Sequence, residues 1–127
     1  MHAEMPKIVL DANALMMPFE FNINLDSEIK RLLGECEIVV PSGVVAELTK
    51  LSETDRAAKA GLRLAGKYRT LEVNGQGDDA VIEAAVSLRA AVVTNDDALL
   101  RRLREMGIAR IRLRSRTHLV LEGDPGS

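Results

Sequence analysis

Two kinds of hydrophobic pattern alternate along this chain. Short continuous apolar runs at Lys7–Leu10, Glu37–Val40 and Ala91–Thr94 suit strands covered on both faces of a sheet. Between them, apolar residues recur at helical spacing: Ile29, Leu32 and Leu33; Val44, Val45, Leu48 and Leu51; Leu99, Leu100, Leu103 and Met106. Asp26-Ser27-Glu28 supplies a cap for the first helix and Gly34 closes it; Ser42 caps the second, and Gly107 stops the third. Further helices are predicted from about Asp55 to Tyr68, weakened by Gly61 and Gly66, and over Asp78–Ala90. Thr70–Val73 reads as a short strand, and Ile108–Leu113 and His118–Leu121 as the last two. Leu15–Phe21 reads as an unusually apolar loop, expected to pack over the sheet edge, with an interface contact as the alternative. Strands alternating with helices indicate an α/β chain with a doubly wound parallel sheet.

Composition narrows this picture. At 127 residues the chain suits one domain with one core. Aromatics are only 2%, so that core must rest on Leu, Val, Ile, Ala and Met. No apolar stretch approaches the roughly 20 residues that span a bilayer, the N-terminus shows no apolar signal region, and the single Cys36 excludes an internal disulfide. The expectation is a cytoplasmic protein with no membrane partner. His2 and His118 are not spaced as metal ligands.

Charge is unevenly spread. Residues 1–55 carry a balance of −6 and residues 56–127 one of +4. Seven arginines fall between Arg101 and Arg116: Arg101, Arg102, Arg104, Arg110, Arg112, Arg114 and Arg116. The last four alternate with Ile111 and Leu113, which on a strand turns the arginines to one face and the aliphatics to the other. A solvated edge strand blunted by charge accounts for any one of them. Together they suit a track for an RNA backbone.

Four acids stand where such a sheet would gather them. Asp11 follows the first apolar run, Glu47 lies in the second helix, Asp78 opens a later helix, and Asp96 follows the run ending at Thr94. Ligands of open parallel sheets bind outside the carboxyl ends of the strands. Carboxylates collected there without bases repel, so a divalent cation is their natural counter-charge. Each acid alone also has a local explanation. Aspartate is a favoured N-cap, and Glu47 can simply face solvent at the border of its apolar stripe. The helix starts at Asp78-Asp79 and Asp96-Asp97 carry two aspartates where a cap needs one, so Asp79 and Asp97 can serve the helix and leave Asp78 and Asp96 to a cleft.

The segments Val9-Leu10-Asp11-Ala12-Asn13-Ala14-Leu15, Pro41–Leu48, Gly77–Ile82 and Val93–Leu100 together resemble, in order, the PIN-domain (PilT N-terminus type) ribonucleases. These include archaeal stand-alone proteins, VapC-type toxins and small-subunit rRNA-processing nucleases. The resemblance covers residues 7–121, leaving an N-terminal extension, 1–6, and a C-terminal tail, 122–127. It implies a three-layer α/β/α fold with a mainly parallel sheet of order 3-2-1-4-5. It also implies an endoribonuclease using Mg2+ or Mn2+, with Asp11, Glu47, Asp78 and Asp96 as catalytic metal-binding carboxylates. Asn13 and Thr94 would orient them and Asp97 would support them from behind. Ala12 departs from the hydroxyl residue many relatives carry. The implied partners are an RNA substrate and either an antitoxin or a ribosome-assembly partner, with a homodimer left open. A PIN-like module that binds without cutting is the alternative outside catalysis.

Competing motifs fail on named residues. Gly75-Gln76-Gly77-Asp78-Asp79-Ala80 satisfies a dinucleotide pattern, but two aspartates at the helix start cancel the attraction a pyrophosphate would need. A haloacid-dehalogenase-type phosphatase wants aspartate where Asn13 stands, and a receiver domain wants a late lysine, whereas Lys67 is the last.

Overall fold

A computed structural model describes residues 5–124; His2, most of the N-terminal extension and the end of the C-terminal tail lie outside them. Twelve elements are described, in the order β1 (Lys7–Leu10), α1 (Ala12–Glu20), α2 (Leu25–Leu33), β2 (Glu37–Pro41), α3 (Ser42–Leu51), α4 (Arg56–Ala65), β3 (Arg69–Leu71), α5 (Gly77–Leu88), β4 (Ala91–Val93), α6 (Asp97–Glu105), β5 (Arg110–Arg114) and β6 (His118–Glu122). The strands form one sheet of order β3-β2-β1-β4-β5-β6, with helices on its flanks. The first five positions match the expected 3-2-1-4-5 and are parallel; β6 adds an antiparallel edge. Apolar runs this short form strands because both faces are covered: Ile8, Val9 and Leu10 are completely buried, as are Val92 and Val93. No helix among the described residues is long and apolar enough to cross a membrane.

Several local expectations are corrected. The stretch from Leu15 to Glu20 is not a loop but most of α1, with Phe21 as its C-cap, and Asp11 caps the start of the helix by accepting a hydrogen bond from the Ala14 N–H at 2.9 Å. Pro18 reads as a helix breaker, yet it sits in the last turn, where losing one hydrogen bond is tolerable because Ala14, Leu15 and Met17 are buried. Asn24, not Asp26, caps α2; Asp26 instead pairs with Lys67 and accepts from Tyr68 Oη at 2.9 Å. Ser42 is not a cap either. Its hydroxyl accepts from the Val73 N–H at 3.0 Å and so ties α3 to the chain leaving β3. Met106 lies beyond the apolar face of α6 and is exposed. β6 extends to Glu122, one residue past the expected end of that strand. Finally, β5 is not the edge strand, because β6 pairs along its full length.

Two glycines position the loop that follows β3. Gly77 has φ +56°, a conformation that opens α5 with little steric cost only for glycine. Gly43 lets α3 close onto that loop, since a Cβ there would lie 2.7 Å from the Gly75 carbonyl oxygen and 2.8 Å from Ala80 Cβ.

Candidate active site

The carboxyl ends of β1 and β4 lie side by side, and the residues that directly follow them are bonded to each other. Thr94 is completely buried and donates its hydroxyl proton to Asp11 Oδ2. The same Thr94 oxygen accepts from the Asp96 N–H at 3.1 Å. Beside it, Asn13 Oδ1 accepts from the Asn95 N–H at 2.9 Å. Asn13 and Thr94 thus hold the start of α1 against the turn from β4 to α6, which fixes Asp11 relative to Asp96. Asp96 is itself the N-cap of α6, accepting from the Leu99 N–H at 2.9 Å through Oδ1. Its other oxygen has no partner among the described residues. The cap and the cleft are therefore served by one residue, not divided between Asp96 and Asp97.

Asp78 arrives from the other side. Its loop is anchored by Glu83, whose carboxylate accepts from the Asn74 N–H at 3.1 Å and the Gly75 N–H at 3.0 Å. Glu47, on α3, has an exposed side chain, as its place at the stripe's border allows, and it still reaches the same hollow. Asp11, Asn13, Glu47, Asp78 and Asp96 line one cleft of about 220 Å³, with Met16, Val44, Leu51 and Val81 forming an apolar wall. Leu51, expected on the buried stripe of α3, is 39% exposed at this wall.

The electrostatics agree with that convergence. Asp11 is only 7% exposed. Burial pushes its carboxyl up to about 7, against the lowering effect of its hydrogen bonds to Thr94 and Ala14 and with help from the charges of Asp96 and Glu47. Glu47 is raised by desolvation and then by Asp78. Asp78 is raised by desolvation and by Asp96, partly offset by Arg102. Each of these acids senses another, and no base lines the cleft among the described residues.

A divalent cation fits this donor set. Every polar ligand is oxygen, as Mg2+ and Mn2+ prefer. The hydrogen bonds made by Asp11 do not exclude ligation, because a carboxylate offers about four lone-pair sites. Among the described residues, no group of three or more Asp, Glu, His or Cys side chains is gathered closely enough to hold a metal as it stands. Mutual repulsion of uncompensated carboxylates works against such gathering.

The other expected residues lie elsewhere. Asp97 does not line the acidic cleft but a second hollow on the far side of the first turn of α6, with Arg101, Arg104, Arg110 and Arg112. Arg102 pairs with Asp79 at 3.1 Å. Arg114 is exposed at the end of β5, and Arg116 leaves the strand with φ +60° and sits over the Phe21 ring at 5.9 Å. Four of the seven arginines line that hollow and three do not. Glu83 and Ser42 were not recognised from the sequence as site-forming, because their partners are backbone groups that no residue type announces.

The chain thus has a mainly parallel sheet with an all-oxygen acidic cleft at its carboxyl edge. A family model described as a PIN like domain matches residues 8–116, and the chain belongs to that family. Ribonuclease VapC9 of Archaeoglobus fulgidus is 29% identical over 105 residues, which cover 79% of this chain and 77% of that protein. The solved structure of the PIN domain endonuclease Utp24 matches with a TM-score of 0.79 at 22% identity, covering 93% of this chain and 92% of its own. A domain of a functionally unknown protein from Methanocaldococcus jannaschii matches at 0.63 and 14% identity, covering 87% and 92%. At these identities the two structures speak to the fold.

Proposed function

We propose that this protein is a metal-dependent endoribonuclease that hydrolyses RNA phosphodiester bonds. The observation that carries the reading is the meeting of Asp11, Glu47, Asp78 and Asp96, from four separate segments, in one cleft without a base. These four would hold Mg2+ or Mn2+. The chemistry that a bound ion would supply there is polarisation of a phosphoryl oxygen and activation of a water. The chain's own residues do the positioning. Thr94 and Asn13 keep Asp11 and Asp96 in register, and Glu83 and Gly43 hold the loop that presents Asp78. The open side of the cleft at Glu47 and Asp96 leaves room for a phosphodiester and water.

The likeness to Ribonuclease VapC9 is one of sequence, at 29% identity, which favours a toxin-type enzyme with an antitoxin partner over an rRNA-maturation role. Incubating labelled RNA with the protein and Mn2+ or Mg2+ tests the reading. Cleavage that stops with EDTA and in Glu47→Gln supports it. Metal-independent cleavage would refute the metal dependence, and no cleavage under any divalent ion would refute the reading and leave the non-cutting binding module.

A further inference from the structure

Four of the seven arginines share a hollow that the acidic cleft does not include. Its volume is about 340 Å³, and its lining is Asp97, Leu100, Arg101, Arg104, Arg110, Arg112 and Glu122. The sequence pattern explains how it arises. Asp97, Arg101 and Arg104 follow helical spacing along one side of α6. Arg110 and Arg112 lie two apart on β5, so they share a face, while Ile111 is buried on the other. Glu122 stands directly across from Arg110 on β6.

The hollow keeps a positive surplus. Arg112 Nε meets Glu122 Oε1 at 3.0 Å, and that contact lowers the carboxyl of Glu122, which also feels Arg110 and Arg104. Arg110 donates to the Ile108 carbonyl oxygen at 2.8 Å, which fixes its position and leaves its charge. Arg101 and Arg104 are exposed and make no ion pair or hydrogen bond among the described residues. Four guanidiniums against two carboxylates leave two positive charges uncompensated. Planar guanidiniums at this density suit phosphate oxygens.

Its position gives the surplus a use. Asp96 lines the acidic cleft and Asp97 lines this one, so the two hollows adjoin across the first turn of α6. Helical rise puts Arg104 roughly 10 Å along α6 from Asp97. A single strand with one phosphate in the acidic cleft can therefore lay a neighbouring phosphate among the arginines. This also answers how an acidic cleft retains a polyanion.

Resting on the nuclease reading above, we infer that the hollow between α6 and the β5–β6 hairpin is a phosphate-binding subsite for the RNA strand whose scissile bond lies in the acidic cleft. Arg101 and Arg104 supply its free charge, and Arg110 and Arg112 form its floor.

The test is binding of a fluorescein-labelled single-stranded RNA of mixed sequence to the full chain, measured by anisotropy in EDTA over a salt series. Arg101→Gln with Arg104→Gln removes two charges without orphaning a carboxylate. Two lost contacts on a single strand flatten the log–log salt slope by about 1.4, equivalent to roughly 25-fold weaker binding at about 0.1 M salt. Lys59→Gln with Arg63→Gln removes equal charge from α4, lines neither hollow, and is expected to change affinity by less than about threefold. Wild-type affinity and slope in the arginine pair, or an equal loss in both pairs, would overturn the subsite. If the wild type binds through the arginines yet cuts nothing with Mg2+ or Mn2+, the hollow stands as an RNA phosphate site and the nuclease reading falls. If it cuts but the arginine pair binds normally, the reverse holds.

Discussion

Replacing Asp11 by Asn separates the electrostatic strain at this residue from its hydrogen bonding. In the metal-free protein, burial holds the Asp11 carboxyl at about 7, against 3.8 for an ordinary aspartate. The unfolded chain therefore ionises this residue well before the folded one does. Each pH unit of that gap is worth about 1.4 kcal/mol. Because the folded value is raised, stability is unaffected below about pH 4, falls as pH rises from about 4 to 7, and levels off above that. Across the whole interval the loss is about 4 kcal/mol. Asparagine does not ionise. Its Oδ1 can still accept from the Ala14 N–H, and its amide can donate to Thr94 Oγ1, which strands the Thr94 hydroxyl proton at a cost of about 1 kcal/mol. The variant is thus expected within about 1 kcal/mol of wild type near pH 5 and about 3 kcal/mol more stable near pH 8. Urea denaturation in EDTA across this range measures the difference directly. A difference that stays constant with pH would refute the claim that burial opposes ionisation of Asp11. Adding Mn2+ should stabilise the wild type and not the variant.

Three further perturbations bear on the same site. Asp96→Asn should keep the cap to Leu99, since asparagine caps as well as aspartate, and fold at least as stably as wild type, while RNA cleavage and the thermal shift on adding Mn2+ are lost; cutting at the wild-type rate would remove Asp96 from the machinery. Gly43→Ala forces a Cβ against the Gly75 carbonyl and Ala80, so the urea-derived stability should fall by about 1–3 kcal/mol, and cleavage should fall at temperatures where the variant remains folded, because the Asp78 loop is displaced. An unchanged urea midpoint would show that α3 and the loop move apart freely. Glu83→Gln replaces one accepting oxygen by a donor, costing about 1 kcal/mol, and the amides of Asn74 and Gly75 should exchange faster with deuterium than in wild type. Unaltered exchange there would deny Glu83 its role as the anchor.

What the sequence alone determined are the features whose causes are local. A run such as Ile8-Val9-Leu10 has no polar side chain to offer solvent, so it belongs inside a covered sheet, and the acid that follows it must stand at the sheet's carboxyl edge. That logic places Asp11 and Asp96 near one another, the helix start after β3 adds Asp78, and the helical period places Glu47 at the border of its stripe. Gly34 and Gly107 were legible as stops because a positive φ is a property of one residue, and both adopt it at +75° and +72°.

Tertiary structure decided whatever depends on a partner far along the chain. Ser42 looks like a cap until Val73, 31 residues away, takes its hydroxyl. Thr94 becomes the residue that orients Asp11 only once 83 residues of chain bring β4 beside β1. Pro18 breaks a helix in isolation, yet α1 forms because burying Leu15 and Met17 outweighs one missing hydrogen bond. The arginines show the same division. Their alternation dictated a common face, but pairing with Glu122, Asp79 and Phe21 decided which charges stay free. A side chain's identity limits what it can bond, whereas its actual partner is chosen by whichever groups packing leaves within reach.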